Sequence, residues 1–245
     1  MKKAVAIAFC LSCLIAATTI ILTFSRKSSP ENTPTESGKP ISVVEQNNSA
    51  LDNSLNIPKD AVLMYITPDG NIENARQTLE IICQLSDEIC SGINNDYDKL
   101  SAISNWVSNY IYYDFDACES SVTIENIALS SVLSTRRTVC LGFSNLYAAL
   151  CCAQGIDCRI AHGTAVASGT FADNDQEELH EWNVALIDKK AVWIDSLWNT
   201  TNAYRDGNYL EGTQSFEYFD ISEEALALDH RAERVDVRNY FSALE

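Results

Sequence analysis

His180-Glu181-Trp182-Asn183-Val184-Ala185-Leu186-Ile187-Asp188-Lys189-Lys190-Ala191-Val192-Trp193-Ile194-Asp195 reads as a β-hairpin. Two runs rich in apolar residues flank a tight polar turn at Asp188, Lys189 and Lys190. Side chains alternate along a strand, so His180, Trp182, Val184 and Leu186 share one face of the first arm. Ala191, Trp193, Asp195 and Leu197 share a face of the second. Any two-residue turn among the three polar residues makes those faces coincide. His180 and Asp195 are then cross-strand neighbours, directly opposite or a few residues off, on a face otherwise apolar. A carboxylate there is costly without a partner, and the imidazole is the partner on offer.

Upstream lies Arg136-Arg137-Thr138-Val139-Cys140-Leu141-Gly142-Phe143-Ser144-Asn145-Leu146-Tyr147. Behind the cysteine, Phe143, Leu146, Tyr147 and Leu150 recur at helical spacing, and Gly155 stands where a glycine closes a helix. Cys140 therefore sits at or just before a helix N-terminus. Unsatisfied N–H groups and the positive end of the helix dipole favour a thiolate there, the form that attacks carbonyl carbon. Alone, such a cysteine is more often a packed thiol. Joined to a histidine and an aspartate on adjacent strands, it supplies the nucleophile of a thiol catalytic site.

In order and context, three segments resemble the transglutaminase-like superfamily within the papain-like cysteine-protease fold. They are Val139-Cys140-Leu141-Gly142-Phe143-Ser144, His180-Glu181-Trp182-Asn183-Val184, and Trp193-Ile194-Asp195-Ser196-Leu197-Trp198-Asn199. Residues 98–114 resemble the helix that opens such domains, and Tyr218-Phe219-Asp220-Ile221-Ser222 a stretch that often follows the triad. The resemblance implies an α+β fold, with N-terminal helices and the nucleophile helix packed on an antiparallel sheet. It implies Cys140 as nucleophile, His180 as base and Asp195 as the residue that orients the base. The chemistry implied is acyl transfer or hydrolysis at amide bonds of peptides or proteins, through a thioester and with no cofactor or metal. Leu141 departs from the Gln or small residue frequent after the cysteine in bacterial relatives, which bears on substrate preference. The alternative function is a catalytically silent extracytoplasmic module that binds or scaffolds proteins.

Three regions divide the chain. Residues 1–24 contain an uncharged run from Ala4 to Phe24 behind Lys2 and Lys3. As a helix it measures about 31 Å, against a hydrocarbon core of about 30 Å. It reads as a signal anchor holding an exported domain at the cell membrane, or as a signal peptide whose cleavage would release it. Residues 25–57, with Pro30, Pro34 and Pro40 among polar residues, read as a flexible tether. Residues 58–245 are long enough for one domain with a proper core. Within it, Asn74 to Cys90 and Tyr97 to Tyr112 carry helical stripes, a short helix is expected around Glu125 to Leu133, and Ile156 to Val166 reads as a strand. The formal charge of −17 repels nucleic acid and anionic membrane faces. Membrane contact is therefore expected through the N-terminal segment only. The partner is a peptide or protein substrate, and the oligomeric state stays open.

Of the nine cysteines, two lie in the apolar N-terminal run and Cys140 is assigned to chemistry. Cys83, Cys90, Cys118, Cys151, Cys152 and Cys158 remain, as disulfides of an exported domain or as buried thiols. Cys83 and Cys90 lie about 10 Å apart along one straight helix, too far to bond each other. A zinc set of Cys152, Cys158 and His162 lacks a paired Cys-x-x-Cys and is the weaker reading. His162 is expected to be structural or exposed. His230 is expected in a polar helix with no role, and Trp182, Trp193 and Trp198 in the core or a cleft wall.

Overall fold

The computed structural model describes residues 50–167, 170–171 and 176–245. The expected anchor and most of the expected tether lie outside these residues. Among the described residues, no helix is long and apolar enough to cross a membrane.

Strand β1 (Ser54–Asn56) falls at the end of the stretch expected as tether. Its side chains are exposed and it pairs through the backbone, which is why composition does not announce it. Helices α1 (Lys59–Ile66), α2 (Ile72–Ile89) and α3 (Asp96–Tyr110) follow. Asn71 caps α2 by accepting from the amides of Glu73 and Asn74, and Asn95 caps α3 by accepting from that of Asp98. Each buries the expected stripe: Ala75, Leu79 and Ile82 on α2, Leu100, Ile103 and Val107 on α3. The second stripe stops short of Tyr112. The amide of Tyr112 donates to the carbonyl of Arg136, and that of Tyr113 to Asn202, so β2 (Tyr112–Asp114) begins there.

After α4 (Phe115–Ser120), the single short helix expected near residue 130 is two, α5 (Ile124–Ile127) and α6 (Leu129–Thr135), hinged at an extended Ala128. Tertiary donors occupy the carbonyls at the hinge. Thr138 Oγ1 donates to Asn126 and Asn145 Nδ2 to Ile127, in place of the amides a continuing helix would offer. Then come β3 (Arg137–Thr138) and the central helix α7 (Cys140–Ala153). At its C-terminus the amides of Gly155 and Ile156 donate to the carbonyls of Cys152 and Cys151. Gly155 adopts φ 75°, the left-handed conformation this closure needs.

The remaining strands are β4 (Asp157–Ala165), β5 (Glu178–Ile187), β6 (Lys190–Ile194), β7 (Ala203–Arg205), β8 (Asn208–Leu210) and β9 (His230–Val237). One short helix, α8 (Glu223–Leu226), precedes β9. The larger sheet has the order β1-β9-β4-β5-β6 and is antiparallel except at β1–β9; the smaller has the order β3-β2-β7-β8. The fold is α+β, with the helix that carries Cys140 packed on the antiparallel sheet. One face of the large sheet meets α7 and the N-terminal helices through Ile160, Ala185, Val192 and Ile194. The other buries Trp182, Val184, Trp193, Val235 and Leu226. Strand β5 is therefore covered on both sides.

The hairpin turn is Asp188-Lys189, with φ 51° and 66°, as a type I′ turn requires. Pairing runs from Ile187↔Lys190 to Asn183↔Ile194. Asp195 thus stands one step past the last pair, diagonal to His180 rather than directly across from it. Between β4 and β9 the register shifts at His162/Gly163. A Cβ on Gly163 would lie 1.9 Å from the carbonyl oxygen of Arg231, so this close approach admits only glycine.

Candidate active site

His180 and Asp195 are both 2% exposed, and His180 Nε2 lies 2.6 Å from Asp195 Oδ2. Three tryptophans surround the pair. Trp182 stacks on the imidazole at 5.8 Å between ring centroids, Trp198 tilts against it at 5.6 Å, and Trp193 is buried in the cluster on the same sheet face. Asp195 uses its second oxygen to accept from the amides of Leu197 and Trp198, which fixes the carboxylate plane. Burial alone would raise the Asp195 carboxyl. The histidines on it outweigh that and hold it well below the usual carboxylate range.

The second of those histidines is His230, expected in a helix and found instead on β9, fully buried. Its Nε2 lies 3.2 Å from Asp195 Oδ2 and its Nδ1 2.6 Å from Asp229 Oδ1, whose other oxygen accepts from the Tyr218 hydroxyl. Burial works against the charged ring, but the two carboxylates, Asp195 and Asp229, raise its pKa above the ordinary histidine value. Ligand atoms of His180, Asp195 and His230 lie within 4.8 Å of one another. Asp195 Oδ2 faces both rings, within hydrogen-bonding distance of each.

Cys140 is the first residue of α7, preceded by an extended Val139. Its side chain meets the opposite side of β5. The thiol donates to Glu181 Oε2 at 2.9 Å. Successive residues of a strand point to opposite faces, so Glu181 looks toward the helix while His180 looks toward the tryptophans. The sequence expects this helix start to favour a thiolate; here the ground state is the reverse. Burial, then the adjacent Glu181 carboxylate, push the thiol well above its ordinary value, against the lowering effect of the Glu181 and Leu141 amides.

Glu181 is itself held. Its other oxygen lies 3.5 Å from His162 Nδ1, and His162 Nε2 lies 2.7 Å from Asp236 Oδ2. The two histidine–carboxylate groups thus occupy the two sides of one sheet.

A family model described as the transglutaminase-like superfamily matches residues 83–196. Over these residues, just under half of its length, the chain is similar to that superfamily. The kyphoscoliosis peptidases of Mus musculus and Homo sapiens are each 24% identical to it over 119 residues. That is 48% of this chain and 18% of either relative, so the chain matches under a fifth of their length. A TGase of known crystal structure shares 21% identity, covering 57% of this chain and 36% of that one at a TM-score of 0.39.

In the transglutaminase-like region, the elements expected to carry the three site residues are present: α7 for Cys140, β5 for His180 and the end of β6 for Asp195. The structure pairs the histidine with the aspartate and pairs the thiol with Glu181. Glu181, His162, Asp236 and His230 were not expected at the site. A signal for Glu181 was present: on a strand covered on both faces, each of two adjacent polar residues needs a partner. Among the described residues the cysteines are free thiols, Cys83, Cys90, Cys118, Cys151, Cys152 and Cys158 among them.

Proposed function

We propose that this chain performs thiol-dependent acyl transfer or hydrolysis at amide bonds of peptides or proteins, with Cys140 as nucleophile, His180 as base and Asp195 as its orienter. The observation that carries the reading is the buried His180–Asp195 contact at 2.6 Å, on the hairpin beside a helix whose first residue is a cysteine. The family match over residues 83–196 and the peptidase names of the curated relatives support it.

In this scheme His180 Nε2 is committed to Asp195, so Nδ1 handles the proton. For that step Cys140 must leave Glu181, on the helix face of β5, and reach the imidazole on the other face; Nδ1 then takes the proton from Sγ and later delivers it to the leaving amine, while Asp195 stabilises the imidazolium. Sγ bonds the substrate carbonyl carbon, and the C–N bond breaks as the thioester forms. Water or a second amine then releases the acyl group. The Cys140 amide, in the first turn of α7 and outside its i→i−4 ladder, is a donor for the oxyanion. The working site lies outside the cytoplasm, tethered through residues 1–24 or released by their cleavage. The test is mass spectrometry of the intact chain after exposure to a peptide library of amides and activated esters. A thioester mass on Cys140, absent in Cys140→Ala, supports turnover; none under any condition refutes it.

One observation favours a second reading, a binding module without turnover. The Cys140 thiol is buried and held by a carboxylate, which suits an inert cysteine. Unaltered partner binding by Cys140→Ala, with no thioester from the wild type, would support that reading.

A further inference from the structure

On the helix side of β5, a buried carboxylate holds the thiol. Glu181 Oε2 accepts from Cys140 Sγ at 2.9 Å, while Oε1 faces His162 Nδ1 at 3.5 Å. His162 and Glu181 are registered partners across β4 and β5. Asp236, on β9 at the far side of β4, fixes the other end of the imidazole at 2.7 Å. Arg234 Nε lies 3.2 Å from Asp236 Oδ1, and Arg238 Nη2 lies 3.8 Å from Oδ2. Three adjacent strands thus supply Glu181, His162 and Asp236, with Arg234 beside Asp236, to a chain that ends on the sulfur. Nothing in the acyl-transfer scheme uses this chain.

We propose that Glu181, braced by His162 and Asp236, is a positioning residue that holds Cys140 as a protonated thiol in the resting protein and must swing off the sulfur before acylation. The proposal rests on the reading of Cys140 as the nucleophile. A thiol donating to a carboxylate cannot ionise without placing two negative charges in contact, so the contact selects the neutral form. Glu181 cannot itself complete the deprotonation. Held low by its partners against the effect of its burial, it is a far weaker base than the thiolate it would create. The proton has to leave by another route; under the acyl-transfer reading that route is His180 Nδ1, which the thiol reaches only by also leaving the helix face of β5. The charged groups around the sulfur are Glu181 from β5, with His180 next to it on the opposite face, His162 from β4 and Asp236 from β9. The backbone amides that face the sulfur are those of Glu181 and, from α7 itself, Leu141.

The test is site-resolved labelling of Cys140 by iodoacetamide against pH, read by mass spectrometry on the full chain. Each profile is normalised to its own plateau, so that access to the thiol drops out of the midpoint. Wild type is expected to have a midpoint above the ordinary thiol value of about 8.5. In Glu181→Gln, which keeps shape and removes the charge, the midpoint is expected to fall by at least about one unit, giving about tenfold faster labelling at pH 7. A wild-type midpoint below about 8.5, or a Glu181→Gln midpoint equal to wild type, overturns the proposal. If circular dichroism shows Glu181→Gln to be unfolded, the wild-type midpoint alone decides. Adding His180→Ala to Glu181→Gln separates the two readings. A midpoint that rises again supports a thiol–imidazole pair beneath the latch. An unchanged one refutes that pair while the latch stands.

Discussion

Asn145→Leu is predicted to cost at least about 4 kcal/mol of folding free energy. Asn145 is fully buried on α7 and commits its whole side chain to tertiary partners. Nδ2 donates to the carbonyls of Tyr65 at 2.9 Å and Ile127 at 3.0 Å; Oδ1 accepts from Arg238 Nη1 at 2.9 Å and the Tyr240 hydroxyl at 2.8 Å. Leucine fills the space and satisfies none of these. Tyr65 sits in the last turn of α1, where carbonyls lack an intrahelical donor, so its oxygen is left unpaired. The Ile127 carbonyl, at the hinge, loses its donor too. Tyr240 retains the main-chain carbonyl of residue 145 at 3.2 Å. Arg238, 4% exposed, is left with Asp236 at 3.8 Å and the face of Tyr65. Two orphaned carbonyls at about 1 kcal/mol each and a stranded guanidinium at about 2 give the total. Urea unfolding followed by circular dichroism measures it. With a slope of about 2 kcal/mol per M, the midpoint should fall by about 2 M with the slope unchanged. A fall of less than about 0.5 M would refute the reasoning, because the four bonds would then be replaceable at no cost.

Three further outcomes follow from the same geometry. Asp195→Asn should keep the fold, since the caps on Leu197 and Trp198 survive, while acylation slows by about 10³–10⁴-fold. Undiminished activity, in an assay that Cys140→Ala abolishes, would remove Asp195 from the mechanism. Burial raises the Asp236 carboxyl, but His162 and the two arginines bring it down to about 2, from 3.8. A depressed carboxyl stabilises above its unfolded value, so Asp236 should contribute about 2 kcal/mol above pH 4, lost as pH falls through about 2. Wild-type minus Asp236→Asn unfolding free energies across that range check this, and a difference that grows on acidification contradicts it. Gly163→Ala must part β4 from β9, because its Cβ would meet the Arg231 carbonyl at 1.9 Å. A loss of about 3 kcal/mol, or about 6–12 °C in Tm, is expected in a thermal scan, and an unchanged Tm would show that the strands yield freely.

The hairpin and α7 were legible because their signals are local. Turn chemistry, strand alternation and a helix-ending glycine all lie within a few residues of what they determine. His230 was not legible for a definable reason. Ser222-Glu223-Glu224 announces a helix, which forms but ends at Leu226. The strand that follows carries the register shift opposite His162/Gly163, which breaks the alternation that would have revealed it. Glu181, His162 and Asp236 meet only through strand order, β5 beside β4 beside β9, and no spacing in the chain encodes that order. The helix-dipole argument at Cys140 was sound as local physics. It was outweighed by a tertiary neighbour, Glu181, on the strand packed beneath the helix.

Surface turns ordinarily tolerate insertions and deletions better than any other part of a chain. The Asp188-Lys189 turn is an exception, although neither residue touches the site. One residue gained or lost there turns β6 over by half a pleat. It would carry Asp195 from the tryptophan side, where His180 waits, to the helix side, already occupied by the Glu181 and Asp236 carboxylates. The length of this turn is therefore a functional constant. Drift at these positions is confined to substitutions that accept a positive φ, and loop grafting into the hairpin would disable the dyad while leaving each of its residues in the sequence.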